Sequence, residues 1–441
     1  MREMKDSGIE WIGEIPKEWE INKIKYMFSN GKGLPITKAN LIDEGLPVIS
    51  YGQIHSKDNN GTKIGKNLLR FVNEKYSMKY PQCSISENDF VFADTSEDYD
   101  GCGNCVLKRD NSKVFAGYHT IILHSLLKRD NRFLAYLFKT DTWRKQIREK
   151  ASGVKVFSIT QKTLMNCKVI LPGYNEEKII ADYLDTKCSE IDATAEDIQK
   201  GISLLEDYKK SVITEAVTKG LNPDAEMKDS GIAWIGDIPK DWEIIRIKNI
   251  GEYRNGLTYK PTDITDENTG ILVLRSSNIQ AGKISLKDNV YVSTFVRNDL
   301  KVQKGDILIC SRNGSRELVG KNAIIEDLQD VTFGAFMMIF RCDSPKYLYY
   351  ILNSKVFSYY LGSFFTSTIN QLTGSNFGNM KIVYVSDKLE QSKIVSYLDT
   401  KCSEIDAIIA DKKRQLNILA EYKKSLIYEY VTGKKGVPVH E

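Results

Sequence analysis

Residues 4–25 (MKDSGIEWIGEIPKEWEINKIK) return as residues 227–248 (MKDSGIAWIGDIPKDWEIIRIK), with 17 of 22 positions identical. The run YLDTKCSEIDA at 183–193 recurs unchanged at 397–407, and YKKS stands at both Tyr208 and Tyr422. The first pair is offset by 223 residues and the second by 214, so the segments between them differ in length by nine. The chain is a tandem duplication in the order conserved–variable–conserved, repeated once. Any fold it adopts must therefore be built twice.

The variable segments share a skeleton beneath their divergence. GLPVISYGQI from Gly45 aligns with GILVLRSSNI from Gly270, and ENDFVF from Glu87 with KGDILI from Lys304. GNCVL from Gly103 aligns with GKNAI from Gly320, and LMNCKV from Leu164 with FGNMKI from Phe377. Short β-branched and apolar runs between Gly, Asn and Asp predict strands and turns. Apolar spacing predicts one helix over 131–150 and another over 345–360. Apolar positions persist while the residues between them change, the pattern expected of one fold carrying two different ligand surfaces.

The conserved arms read as long helices. A 4-3 spacing runs through Ile191, Ala195, Ile198, Ile202, Leu205, Lys209, Val212 and Ala216. It repeats through Ile405, Ile409, Lys412, Leu416, Leu419, Lys423, Leu426 and Tyr430. Four heptads favour a coiled-coil seam over a lone amphipathic helix. If a pseudo-twofold relates the copies, the second helix should end, near Gly433, beside Met4.

Net charge is only +4, but its distribution is uneven. Residues 21–171 hold 24 Lys and Arg against 14 Asp and Glu, residues 244–385 hold 17 against 12, and the remainder is acidic. Two basic blocks suit a polyanion, and the acidic arms suit a different, protein partner. No apolar run approaches the ~18 residues of a membrane span, and no secretory leader is evident, so a soluble cytoplasmic chain is expected. Catalytic signatures are sparse. The chain has no phosphate-binding loop, and its four histidines (55, 119, 124, 440) make a thin basis for a catalytic or zinc site. Cys102 and Cys105 form a single CxxC, which supplies two of the four ligands of a structural zinc site and reads better as core thiols. No cofactor or metal is expected.

What remains is binding chemistry. Polar, basic and aromatic residues crowd the predicted loops. In the first copy they are Lys32, Thr37, Lys38, Tyr51, Gln53, His55, Lys57, Lys155, Ser158 and Gln161. In the second they are Asn255, Tyr259, Lys260, Arg275, Ser277, Asn278, Arg312, Asn313, Ser315, Arg316, Asn370 and Gln371. Arg and Lys can grip guanine O6/N7 or phosphate, and Asn and Gln can read adenine bidentately. RNGSR at 312–316, directly after a predicted strand, is the best cluster.

In this order, KDSGIEWIGEIPKEWE and its repeat, the two YLDTKCSEIDA arms and the two divergent blocks resemble the specificity subunit of type I restriction–modification systems, over essentially the whole length. The resemblance implies an α+β chain: two similar mixed α/β target-recognition domains separated by two long antiparallel helices, pseudo-twofold and nearly circular. It implies recognition domains at 1–174 and 223–387 and helical arms at 175–222 and 388–441. The family is not itself an enzyme. Each recognition domain would read one half of an asymmetric bipartite site in double-stranded DNA. The arms would set the spacing and dock two methyltransferase (modification) subunits, with restriction and translocase subunits joining the full complex. Methylation of adenine N6 and ATP-driven cleavage would belong to those partners. For docking, the outward arm residues Tyr183, Lys187, Glu190, Asp192, Tyr397, Lys401, Glu404 and Asp406 are the candidates. A continuous helix over 191–217 spans ~40 Å, comparable with the ~34–36 Å of one DNA turn, so half-sites about one turn apart are expected. The competing reading is a duplicated coiled-coil adaptor that binds proteins and no DNA.

Overall fold

In a computed structural model of the chain, residues 2–127, 129–153, 155–364 and 370–438 are described; His440 lies outside them. The chain divides into two compact units. Unit 1 is Met1–Asp197 with Gln415–Glu441, and unit 2 is Ile198–Arg414. Each unit thus holds one variable segment, the first part of the helix that follows it and the last part of the other helix.

The two units repeat one topology. In unit 1 an antiparallel sheet runs in the order Cys105–Leu107, Phe90–Ala93, Thr120–Ser125, Phe28–Lys32. In unit 2 the order is Asn322–Ile324, Ile307–Cys310, Met337–Cys342, Gly251–Asn255. Phe90–Ala93 and Ile307–Cys310 are buried at every position, as uninterrupted apolar runs in the middle of a covered sheet should be. Each unit has a second sheet in which one pair is parallel: Leu46–Ile49 with Val114–Ala116, and Ile271–Leu274 with Val331–Phe333. A third pairing ties the start of each variable segment to its end, Glu20–Lys23 to Lys168–Leu171 and Glu243–Arg246 to Lys381–Tyr384. The aligned strands of the sequence are therefore the same strands in space.

Both expected mid-domain helices are broken in two. Thr140 stops Arg132–Lys139 and caps Asp141–Arg148, its hydroxyl accepting from Trp143 N–H. Pro345–Ile351 ends near Leu352, and Lys355–Phe364 begins after the buried Ser354. Apolar periodicity continues across both breaks, because each short helix buries a face in the same core, so the spacing alone hides them.

The arms are the helices Tyr174–Lys219 and Lys388–Val431. Within each unit their seam residues are buried or half-buried, and the helices run antiparallel. In unit 1 Tyr183 lies on Tyr430, ring centroids 4.6 Å apart, and Lys423 Nζ reaches Asp192 at 2.6 Å. In unit 2 the matching contact is Lys209 Nζ to Asp406, also 2.6 Å. Each arm ends on a left-handed glycine, Gly220 (φ 76°) or Gly433 (φ 69°). A Cβ on either would stand 3.2 Å from a head tryptophan, Trp242 or Trp19. Gly433 also meets Pro16, the strand partner of Met4, so the second helix does end beside the first residues of the fold.

One aspartate of the repeated arm sequence pins each variable segment to its helix. Asp185 receives Tyr136 Oη–H at 2.8 Å and Arg132 Nη1 at 2.9 Å; Asp399 receives Tyr350 Oη–H at 2.6 Å and Lys346 Nζ at 3.0 Å. Much of the identity between the arms is thereby accounted for inside the molecule. Asp185 and Asp399 hold the domain, Cys188, Ile191, Cys402 and Ile405 join the core, and Asp192 and Asp406 pair across the seam.

Candidate functional site

The same place in each unit opens into a cleft. It lies where the first strand of the large sheet leaves toward the second sheet, at a crossing that only glycine permits. A Cβ on Gly33 would lie 1.8 Å from Gly117 O, and one on Gly256 would lie 2.3 Å from Gly334 O. The sequence therefore brings two backbone segments into contact and leaves the side chains around them to form the walls.

In unit 2 the cleft has a volume of about 840 Å³ and gathers residues from five separated segments. Of the sequence candidates, Tyr259, Arg275, Ser277, Arg312, Asn313 and Asn370 line it, together with Phe336. Arg312 pairs in an antiparallel bridge with Gln371, and its guanidinium sits 5.3 Å from the ring centroid of Phe336, which is 59% exposed. Asn370 Nδ2–H donates to Gly314 O at 3.2 Å, and Asn313 Nδ2–H to Ser276 Oγ at 3.3 Å, so the RNGSR loop is tied on both sides. Arg275 is anchored on Asp288, with Nη2 3.0 Å from Oδ2, while its Nε and the Ser277 hydroxyl are buried without a hydrogen-bond partner. Buried polar atoms without a partner are uncommon in folded proteins.

Other candidates serve the fold. Asn278 is fully buried; its Oδ1 accepts from Arg275 N–H at 2.9 Å and its Nδ2 donates to Ser285 O at 2.9 Å. Gln53 holds the equivalent turn in unit 1 by accepting from Ser50 N–H at 3.2 Å. His55 uses both ring nitrogens, with Nε2 2.8 Å from Thr95 O and Nδ1 3.0 Å from Asn104 Nδ2. Lys260 and Thr37 cap equivalent turns through their backbone N–H groups. Ser315 N–H donates to Asn313 Oδ1 at 3.0 Å, Arg316 Nη2 reaches Gly362 O at 3.3 Å, and Asn255 is exposed on its strand.

In unit 1 the cleft is smaller, about 570 Å³. Lys32 and Gln161 line it, Gln161 Nε2–H donating to Gly31 O at 2.9 Å. Tyr51 packs edge-on against His119, ring centroids 5.4 Å apart. Ser158 pairs with Thr95 in a short strand, and Lys38, Lys57 and Lys155 are exposed without lining the cleft. Asp94 and His119 line this wall although neither stood among the candidates. A search for basic and amide side chains passes over them; Asp94 aligns with Ser311, the residue before Arg312, and so stands one place from a candidate.

Other chemistry is thin. Cys102 and Cys105 are buried in the core, and burial pushes the Cys105 thiol up to about 12. Among the described residues no cluster of three or more His, Cys, Asp or Glu is placed to hold a metal ion, and no helix is long and apolar enough to cross a membrane.

A family model described as the type I restriction modification DNA specificity domain matches residues 16–203 and again 239–417. The chain belongs to this family. It carries two specificity domains, one in each copy of the repeat. It is 24% identical over 439 residues to the type I restriction enzyme MjaVIII specificity subunit of Methanocaldococcus jannaschii, covering 95% of this chain and 93% of that protein. It is 25% identical to the EcoKI specificity subunit of Escherichia coli K12, over 72% of this chain and 66% of that one. A solved structure from work on the complex assembly and conformational transition of the type I R-M system shares the fold, with a TM-score of 0.68 at 16% identity, covering 96% of this chain and 99% of that one. The chain is thus a specificity subunit of the type I class, a non-catalytic component that binds DNA and the other subunits of its system.

Proposed function

We propose that each cleft reads one half of an asymmetric bipartite DNA site and that unlike clefts make the half-sites unlike. The observation behind this reading is that equivalent backbone segments form a cleft in both copies, while the side chains on its walls differ. In the second domain Arg312 and Arg275 supply donors suited to guanine O6/N7, and Asn313 and Asn370 supply amides. In the first, Lys32 and Lys155 suit phosphate, and Gln161 presents an amide at the wall.

The domains are best taken as 1–174 and 223–387, with arms at 175–222 and 388–441 that dock two modification subunits and, through them, the restriction and translocase subunits. With Asp192 and Asp406 held by lysines, the outward surface left for docking centres on the exposed Lys187–Glu190 and Lys401–Glu404 pairs, each 2.8–2.9 Å, and on Tyr397, 39% exposed. Tyr183 is half covered by Tyr430 and offers less.

Sequencing of N6-methyladenine in host DNA with and without the gene tests the reading. Loss of methylation from one asymmetric bipartite motif is expected. An unchanged methylome, with the modification subunits still co-purifying, would favour the adaptor reading. Lengthening one arm should alter only the spacer between the half-sites; altered half-sites would refute the role of the arms as spacers.

A further inference from the structure

The backbone places Asp94 of the first domain where the second domain has Ser311, the residue before Arg312. Asp94 N–H donates to His119 O at 3.1 Å, and its carbonyl accepts from Ile159 N–H at 2.8 Å. Ser311 N–H donates to Phe336 O at 2.9 Å, and its carbonyl accepts from Leu372 N–H at 2.7 Å. This position carries a carboxylate beside an imidazole in the first domain; in the second it carries the Ser311 hydroxyl, and the guanidinium of the next residue, Arg312, lies over the phenyl ring of Phe336.

Asp94 is out of keeping with its surroundings. It shares its wall with Lys32, Gln161 and Lys162, in a block whose excess of cations suits a polyanion. A carboxylate there repels phosphate, so it serves no backbone grip. Its Oδ1 is buried and accepts no hydrogen bond; His119 Nδ1 stands 3.3 Å away. The side chain is nevertheless 31% exposed and lines the cleft. An anion held so, pinned at both backbone groups, is stabilised by a donor arriving from outside. His119 adds strain at the same point, with φ 55° in a residue that has a Cβ, and its ring is held edge-on by Tyr51. Non-glycine residues in this region persist where the surroundings over-determine them, commonly at ligand clamps.

We propose that Asp94, positioned by His119, is a specificity-determining acceptor of the first domain that takes a hydrogen bond from the exocyclic amine of a base, cytosine N4 or adenine N6, in the major groove. This rests on the reading of the clefts as half-site readers and assigns one of them its chemistry. The first half-site then contains a position restricted to amine-bearing bases, and guanine or thymine there meets a carboxylate with an acceptor, O6 or O4.

The test is selection from a duplex library, with each half-site randomised in turn, by the full-length chain assembled with its modification subunits. The wild type should enrich cytosine or adenine about tenfold at one position of one half-site. D94A should bring that position close to parity and leave the other half-site unchanged, which also shows that the variant is folded. D94N should admit guanine or thymine there, since an amide can donate. Unchanged preference in D94A, or relaxation at a position that favours guanine or thymine, overturns the assignment. If D94A loses both half-sites, D94N decides, and loss of both in it too would make Asp94 structural. If the wild type selects no bipartite site, the half-site reading itself falls, an outcome distinct from failure of the Asp94 variants alone.

Discussion

The clefts of the two domains share a backbone and differ in charge. The first sets Asp94 and His119 beside Lys32; the second sets Arg312 on Phe336 with Arg275 across the wall. What stays constant is what the crossing needs: Gly33 against Gly117, Gly256 against Gly334, and an amide or carboxylate closing each capped turn. What varies is whatever points into the cleft. A duplicated scaffold can therefore change what it recognises without changing how it folds, because the residues that hold the walls are separate from those that face inward.

The largest effects should fall on what the domains share. Trp19 and Trp242 are buried at equivalent places, each against the glycine that ends an arm. Replacement of either by Ala should cost about 3–5 kcal/mol; equilibrium unfolding of the two variants should give similar losses, and a loss confined to one would show that the repeats are not energetically equivalent. Arg312→Ala comes next. It should relax one position of the second half-site by about 1–3 kcal/mol and leave the first half-site alone. Competition binding with single-base variants of the site reads this, and an equal loss on every sequence would make Arg312 a phosphate contact.

Lys32→Ala should weaken binding to all sequences alike and lower the slope of log K against log salt by about 0.9. A sequence-dependent effect would instead move Lys32 into the base-reading set. The smallest effect contrasts the helical flanks of the domains. Lys139, in the first, is half-buried and its ammonium is pushed down to about 8, chiefly by burial and then by nearby Lys423. In the second domain Asn353 follows the corresponding helix and bonds Asn322 at 2.9 Å. A depressed lysine is a penalty carried at pH values below its folded value and relieved as pH rises toward that of the unfolded chain. Lys139→Met should therefore be slightly more stable than wild type at pH 7, with the gap closing between pH ~8 and ~10. Chemical denaturation at both pH values checks this, and a variant less stable at pH 7 would mean that the ammonium makes a favourable contact.

The strands and arms were legible because burial writes a period into the sequence. Phe90–Ala93 and Ile307–Cys310 read as apolar runs, and the 4-3 seam from Ile191 and Ile405 marks the faces the arms bury. The helix breaks at Thr140 and Ser354 were not legible, since the apolar spacing continues through them. The site was legible in part. Arg312, Arg275 and Asn370 carry the chemistry expected of a DNA reader and do line a cleft, whereas Asn278 and Gln53 carry similar chemistry and are spent on capped turns. Residue type cannot separate those two uses, because an amide serves a backbone N–H as well as a base edge.

By itself the sequence determined that the fold is built twice, that each copy has a divergent middle and a helical arm, and that the divergent parts are basic. Repeats, periodicity and charge are properties of the chain read in order. Only the tertiary structure decided which polar residues face a cleft, that Asp94 and His119 join one of them, and that Asp192 and Asp406 are held by lysines more than 190 residues away in sequence. Those outcomes depend on which segments meet, and segments meet through long-range packing that leaves no local pattern in the sequence.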